Sequence, residues 1–267
     1  MAKKGYIYKG LKPVHWCSHC GTALAEAEIE YADDPCYSVY VKFEVTDDKG
    51  TLFSMGAVPG KTYVVIWTTT TWTLPANVAI CLGPNFDYAL LKANREGETE
   101  YYVVAKELAA NVMQEAGIEE YEIIGTVKGS ELEYVECAHP FLDRKSILIL
   151  GDHVTLDSGT GCVHIAPGHG MDDFIVVTQH YPEIPFTVPV DSEGRMTEEA
   201  GFSAGLTTDE ASKVIAKHIH ESGHLLATKK LRHQYPHCWR CKEPILFRAP
   251  EQWFCSVDHF TDEAVQA

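Results

Sequence analysis

Apolar and polar residues alternate with period two over much of the chain. Tyr37 to Val45 reads YSVYVKFEV, rich in β-branched and aromatic residues, which is the pattern of a half-buried strand. Thr62 to Trp67 (TYVVIW) is a short unbroken apolar run of the kind a strand buried on both faces shows. Strands are also expected at Asn77 to Leu82 and Tyr88 to Leu91, separated by the Gly83-Pro84-Asn85 turn, and at Tyr101 to Ala105. The spacing then becomes helical from Lys106 to Ala116 and stops at Gly117. Tyr121 to Val127 and Leu132 to Cys137 flank a Lys128-Gly129-Ser130 turn, and Ile147 to Leu150 and Gly161 to Ile165 end the strand series. Two later helices are expected, Asp172 to Tyr181 and Thr208 to Ser222, the second capped by Thr207 or Thr208. Many short strands without regular βα alternation imply a barrel-like β core decorated by helices. From Arg248 onward the pattern has little character of its own.

Two stretches interrupt this regularity with polar groups. Gly159 to Phe174 reads GTGCVHIAPGHGMDDF, with glycines at 159, 161, 168 and 170 around Pro167. Glycines let the backbone approach a ligand closely, and His164, His169, Asp172 and Asp173 supply polar side chains. The plainer alternative is a surface turn leading into a helix capped by Asp172 or Asp173. Trp67 to Asn77 reads WTTTTWTLPAN, four consecutive threonines at the end of an apolar strand. A row of hydroxyls can bind amino, hydroxyl and carbonyl groups of a ligand. It can equally be an edge strand whose threonines have high β propensity.

Composition narrows the class. The chain has 267 residues, 45% hydrophobic and 22% charged, enough for a sizeable core in one large domain with a satellite or in two domains. No apolar run is long enough for a membrane helix. The start, MAKKGYIYKGLKP, is basic but lacks an apolar signal core. A net charge of −16 argues against sequence-independent nucleic-acid binding, though not against a pocket that takes only the tip of a nucleic acid. Nine cysteines, an odd number without a secretory signal, imply a reducing, cytoplasmic compartment. Four of them form two CxxC knuckles, Cys17 with Cys20 and Cys238 with Cys241. Four thiolates make a closed tetrahedral zinc site. The knuckles lie 221 residues apart, from 17 to 238, so the chain between them must return to its starting point. His19 and His237 are candidate substitute ligands, and two independent CxxC pairs are the alternative. Cys36, Cys81, Cys137, Cys162 and Cys255 fit small core residues better.

WTTTTWTLPAN and GTGCVHIAPGHGMDDF resemble the two signature segments of the editing domain of isoleucyl-tRNA synthetase. The flanks, Tyr8 to Tyr31 and His237 to Phe254, resemble that enzyme's joins to its catalytic core, so the likeness covers nearly the whole chain. The related valyl and leucyl enzymes carry an arginine after the paired threonines, whereas this chain continues Thr70-Thr71-Trp72-Thr73-Leu74-Pro75. The family usually has proline where Thr71 stands. The HIGH and KMSKS motifs of the catalytic core are missing, so the chain is expected to be an excised fragment unable to charge tRNA.

The resemblance implies a closed β-barrel editing domain at residues 36–230, mainly β with flanking helices. It implies a zinc-ribbon-like stalk formed by residues 1–35 and 231–267. The implied reaction is post-transfer editing, the hydrolysis by water of the ester in valyl-tRNA(Ile). The implied ligands are the 3′ end of aminoacylated tRNA(Ile) and its valine moiety. Asp173 matches the aspartate that grips the α-ammonium, with Asp172 as fallback. His164 matches the wall of the side-chain pocket, and Thr68, Thr69 and Thr70 match threonines that orient substrate and water. Trp72 matches a position near the adenosine, and Thr73, Asn77 and His169 complete the substrate surroundings. Cys17, Cys20, Cys238 and Cys241 are the expected structural Zn2+ ligands. No organic cofactor is implied, and a monomer without membrane contact is expected. Two rivals stand beside this reading: a metallohydrolase using His164, His169 and Asp173, and a non-catalytic zinc-ribbon module that only positions RNA.

Overall fold

The computed structural model describes residues 1–257, 260, 261 and 265. The strands in chain order are β1 (Ile7–Leu11), β2 (Val14–Cys17), β3 (Thr22–Leu24), β4 (Ile29–Asp47) and β5 (Thr62–Thr68). They continue as β6 (Ala79–Leu82), β7 (Asp87–Arg95), β8 (Glu98–Ala105), β9 (Tyr121–Lys128) and β10 (Glu136–Ala138). The last five are β11 (Lys145–Leu150), β12 (Cys162–Ile165), β13 (Leu225–Cys238), β14 (Leu246–Arg248) and β15 (Glu251–Cys255). Among the described residues three α-helices, α1 (Ala109–Glu115), α2 (Met171–His180) and α3 (Thr208–Glu221), flank them. The chain is thus mainly β with flanking helices.

Ten strands form one sheet in the order β13-β4-β10-β11-β6-β12-β5-β8-β7-β9, and β4 also pairs with β5. The pairings β4-β10-β11-β6-β12-β5 therefore return to β4. The principal apolar core includes Phe43, Leu52, Ile66, Leu74, Leu82 and Leu90, all fully buried. Each such side chain contributes about 1.5–3 kcal/mol of burial. Tyr88 ties this core to the glycine-rich segment. Its hydroxyl accepts from the Gly83 N–H at 2.9 Å and donates to the Gly161 carbonyl at 2.7 Å.

Helix α3 begins with a capping box: Thr207 Oγ1 accepts from the Glu210 N–H and Glu210 Oε2 accepts from the Thr207 N–H. Its buried residues Ala211, Ile215 and Ile219 fall at helical spacing and face the short 3-10 turn Thr71–Ala76.

The sequence pattern and the structure part at several places, and β1, β2, β3, β13 and β14 lie outside the expected strand series altogether. β4 runs on beyond Tyr37 down to Ile29, because it pairs with β13 along its length, from Leu225↔Val41 to Cys238↔Ile29. The segment Leu132 to Cys137 is strand only from Glu136, since Tyr134 adopts φ 64°, a left-handed conformation that breaks a ladder. Lys106–Leu108 is a 3-10 turn and only Ala109–Glu115 is α-helical. Beyond Arg248 the chain is not featureless: β15 pairs antiparallel with β1, Ile7 opposite Cys255 and Leu11 opposite Glu251. β14, β2 and β3 make a separate three-stranded sheet around Cys17, Leu24, Cys238 and Ile245.

Candidate functional site

A cavity of about 400 Å³ opens where the end of β5 meets β12 and the start of α2. Its wall includes Thr68, Thr69, Thr70 and Thr73 from the first polar stretch and His164, His169, Gly170 and Asp173 from the second. Val163↔Trp67 pairs the two stretches directly, and this juxtaposition builds the site. Seven of the ten non-cysteine residues singled out from sequence line this one space. The other three do not. Trp72 is buried behind the wall, with its ring edge-on to His169 at 5.1 Å. Asn77 is fully buried behind His164, and Asp172 faces a neighbouring cavity.

Hydrogen bonds fix His164. Asn77 Nδ2 donates to the Ala79 carbonyl at 2.9 Å and lies 2.8 Å from His164 Nδ1. The first bond sets the amide orientation, so Nδ1 is the acceptor and carries no proton. The proton of the neutral ring is then on Nε2, which donates to Thr73 Oγ1 at 3.0 Å. Thr73 in turn donates to the Thr70 carbonyl at 2.7 Å. Burial holds His164 neutral, its pKa down at about 3. With both nitrogens engaged, the ring is a rigid wall, not a free base. Thr68 and Thr70 hydroxyls lie 3.2 Å apart beside it, and Thr68 Oγ1 accepts the Thr70 N–H.

Asp173 sits in the first turn of α2, half-buried at the cavity edge. Its Oδ2 accepts the Ala166 N–H at 2.8 Å. Burial pushes its carboxyl up to about 6, against the pull of that N–H. A Cβ on Gly170 would lie 2.9 Å from its carboxyl carbon, so glycine at 170 makes the room. His169 Nδ1 donates to the Phe247 carbonyl on β14 at 2.8 Å, and burial lowers its pKa to about 4. The cavity thus carries one carboxylate among neutral rings and hydroxyls.

A family model described as tRNA synthetases class I (I, L, M and V) matches residues 1–267. The chain belongs to that family. It is 59% identical over 267 residues to the isoleucine–tRNA ligase of Caldicellulosiruptor bescii and 57% identical to that of Caldicellulosiruptor saccharolyticus. Each match covers 100% of this chain but 28% of the relative, so the chain spans little more than a quarter of their length. Among solved structures it resembles the cytosolic leucyl-tRNA synthetase editing domain of P. knowlesi, with TM-score 0.58 and 13% identity over 71% of this chain and 95% of that one. The corresponding P. falciparum domain gives TM-score 0.57 at 12% identity, covering 71% and 98%. At such identities the likeness shows the fold, and that fold is the one of synthetase editing domains.

In this synthetase-family chain the four knuckle cysteines meet. The Sγ atoms of Cys17, Cys20, Cys238 and Cys241 all lie within 4.8 Å of one another. A tetrahedral zinc–thiolate centre needs sulfur atoms about 3.8 Å apart, so the set is compatible with a structural zinc. Burial pushes Cys17 up to about 12. Burial also raises Cys238, but the backbone N–H groups of Cys241 and Arg240 outweigh it and bring that thiol down to about 7. Neither substitute ligand joins them. His19 is exposed, and His237 places one ring nitrogen on the Tyr235 carbonyl and the other near Asp34. Among the described residues no other His, Cys, Asp and Glu side chains cluster closely enough to share a metal, and His164, His169 and Asp173 do not.

Sequence reasoning missed His153, Thr155, Ser158 and Thr160 in the cavity wall. It also missed a clamp on the threonine turn. His139 Nε2 donates to the Leu74 carbonyl at 2.9 Å, and Arg144 Nη2 donates to the Pro75 carbonyl. Nothing in the surrounding CAHPFLDRK pattern marks either residue.

Proposed function

We propose that this chain is the editing unit of an isoleucyl-tRNA synthetase and hydrolyses the ester of valyl-tRNA(Ile). The observation that carries the reading is the meeting of Thr68, Thr69, Thr70, His164 and Asp173 around one cavity in an editing-domain fold. The ring of strands β4-β10-β11-β6-β12-β5 is the barrel of that fold, assigned to residues 36–230. Residues 1–35 and 231–257 form the stalk, clamped by one Zn2+ on Cys17, Cys20, Cys238 and Cys241, while much of the expected remainder, 258–267, lies outside the described residues. When bound there, zinc supplies structural cross-linking away from the cavity.

Chemistry follows from the groups present. The α-ammonium of the aminoacyl ester docks on the Asp173 carboxylate, a charge-assisted contact. The side chain lies against His164, whose engaged ring cannot yield to one more methylene. One methylene is worth about 1–3 kcal/mol in an apolar pocket, a limit for which isoleucyl-tRNA synthetase is itself the standard example. A second, smaller site therefore removes what the first admits. Water adds to the ester carbonyl carbon, the bond to the ribose oxygen breaks, and the water proton ends on that oxygen. The Thr68 and Thr70 hydroxyls orient the water and the carbonyl. Cys162 is an unsuitable nucleophile: its Sγ faces the Val103 carbonyl at 3.8 Å and burial pushes its thiol well up. Trp72, behind the wall, stiffens His169 rather than stacking on adenosine.

The test is a deacylation assay on valyl- and isoleucyl-tRNA(Ile). Rapid hydrolysis of the valyl ester with the isoleucyl ester spared is expected. Equal rates on both, or none on either, would overturn the reading. The absence of hydrolysis with retained RNA binding would favour the RNA-positioning module instead.

A further inference from the structure

The two hydrogen-bond partners of His164 stand at either end of one short stretch. Thr73 meets Nε2 and Asn77 meets Nδ1, so the spacing of these two residues sets the place of the ring. Between them lie Leu74, Pro75 and Ala76, the end of the buried 3-10 turn Thr71–Ala76. The carbonyls of Leu74 and Pro75 are held from outside that turn. His139 Nε2 donates to the Leu74 carbonyl at 2.9 Å, and Arg144 donates to the Pro75 carbonyl. Both residues sit on the tight connection between β10 and β11, closed by the His139 N–H on the Arg144 carbonyl at 3.0 Å. Neither lines the threonine-walled cavity. His139 is itself fixed. Its Nδ1 accepts the N–H groups of Phe141 at 3.3 Å and Leu142 at 3.1 Å, so the ring proton is on Nε2 and faces Leu74. Burial lowers its pKa to about 3, which keeps the ring neutral and in that one tautomer near neutrality.

We propose that His139 and Arg144 are positioning residues for selectivity: they hold Thr73 and Asn77 at the spacing that keeps the His164 ring in place as a wall. The proposal rests on the editing reading, in which that wall rejects one extra methylene. A wall that separates side chains differing by so little must be held closely, and bonds behind it do this. The Leu74 carbonyl also accepts the Asn77 N–H at 2.9 Å, but that bond lies within the stretch and moves with it. Helix α3 packs on the turn through apolar residues, and such contacts have no direction. The clamp gives the turn a directional tie to β10 and β11. Neither clamp residue meets the substrate; each acts through the turn on the ring.

The test reads selectivity and ring state separately. His139→Leu removes the donor and should narrow the ratio of valyl- to isoleucyl-tRNA(Ile) hydrolysis about three- to tenfold, the worth of one neutral hydrogen bond. His139→Gln, whose amide can still donate to the Leu74 carbonyl, should recover most of the ratio even where it melts no higher than His139→Leu. Arg144→Met, at a partly exposed position, removes the other half of the clamp and should narrow the ratio in the same direction. It carries the test if His139→Leu does not fold. Nitrogen-15 NMR of the His164 ring is a readout independent of activity. The parent should show one form protonated on Nε2, and His139→Leu and Arg144→Met should show broadened or mixed-tautomer signals. Folded variants that keep the parent's rate ratio and His164 signals would overturn the proposal. So would both rates falling together at an unchanged ratio, which marks a merely structural clamp. If the parent hydrolyses neither ester, the editing reading fails, and the His164 signals alone then decide whether the clamp holds the ring.

Discussion

Replacing Asp173 by Asn separates charge from shape at the cavity edge. The amide oxygen can still accept the Ala166 N–H that now reaches Oδ2 at 2.8 Å, and Gly170 still leaves room, so the fold should persist. What disappears is the anion proposed to face the α-ammonium. A hydrogen bond to a charged group is worth about 1.5–3 kcal/mol, so a non-hydrolysable valyl-adenosine analogue should bind about 10–150-fold more weakly. Calorimetry between pH 5 and 8 adds a second signature. Burial raises the parent carboxyl from 3.8 to about 6, so it holds a proton below that pH and its affinity for the cationic analogue should fall there. The variant should show no such step. Stability moves the opposite way. Between pH 4 and 6 the native state binds more protons than the unfolded chain, so the parent loses stability as pH rises through that window. The full shift corresponds to about 3 kcal/mol, and about half of that survives solvent at the cavity mouth. The variant should therefore melt higher than the parent at pH 8 while binding the analogue more weakly. Equal affinity of parent and variant at pH 8 would refute the role of Asp173.

Three further outcomes are expected. His164→Ala should hydrolyse isoleucyl-tRNA(Ile), which the parent is expected to spare; an unchanged ratio of valyl to isoleucyl rates would remove the ring from its proposed place as the wall. Asn77→Ala strips the buried Ala79 carbonyl and His164 Nδ1 of their donor, costing about 2 kcal/mol in denaturant unfolding, and should blur the same rate ratio because the ring's tautomer is no longer set. Cys17→Ser, or chelation, should release one zinc per chain by elemental analysis and raise proteolysis of the ends while sparing the β core, since the ligands belong to a separate small core.

The sequence made the site legible where chemistry was packed locally. GTGCVHIAPGHGMDDF names its own loop, because glycine spacing and paired acids depend on neighbours in the chain. β5 and β12 were legible for the same reason, as short runs of β-branched residues. What the sequence hid was long-range. The extension of β4 to Ile29 depends on a partner about 200 residues away, and YADDPC carries no strand pattern of its own. The same holds for Glu251–Cys255, which is a strand only because Ile7–Leu11 lies beside it. Residue pattern alone does not separate Asp172 from Asp173, and only the family resemblance favours Asp173, since a helix start turns successive side chains about 100° apart and packing decides what each meets. The His139 clamp was invisible because its partners are backbone carbonyls, which no side-chain pattern records.

The electrostatic arrangement of the cavity has a common cause in burial. Three histidines line it, and any one as a cation would compete for Asp173 with a cationic ligand. Burial opposes this by holding His164 near 3 and His169 near 4 and by lowering the pKa of His153 as well. The same burial raises Asp173, but only to about 6, because the Ala166 N–H and the open cavity edge limit the rise. Near neutrality the site is therefore one carboxylate in a neutral surround. A cation adds to it without displacing anything, and an anionic ligand is repelled by it. His169 owes its tautomer to the Phe247 carbonyl on β14, a strand of the cysteine-bearing sheet. That carbonyl pulls the His169 pKa up, so burial, the larger influence, keeps the ring neutral while backbone from the cysteine-bearing sheet fixes its orientation.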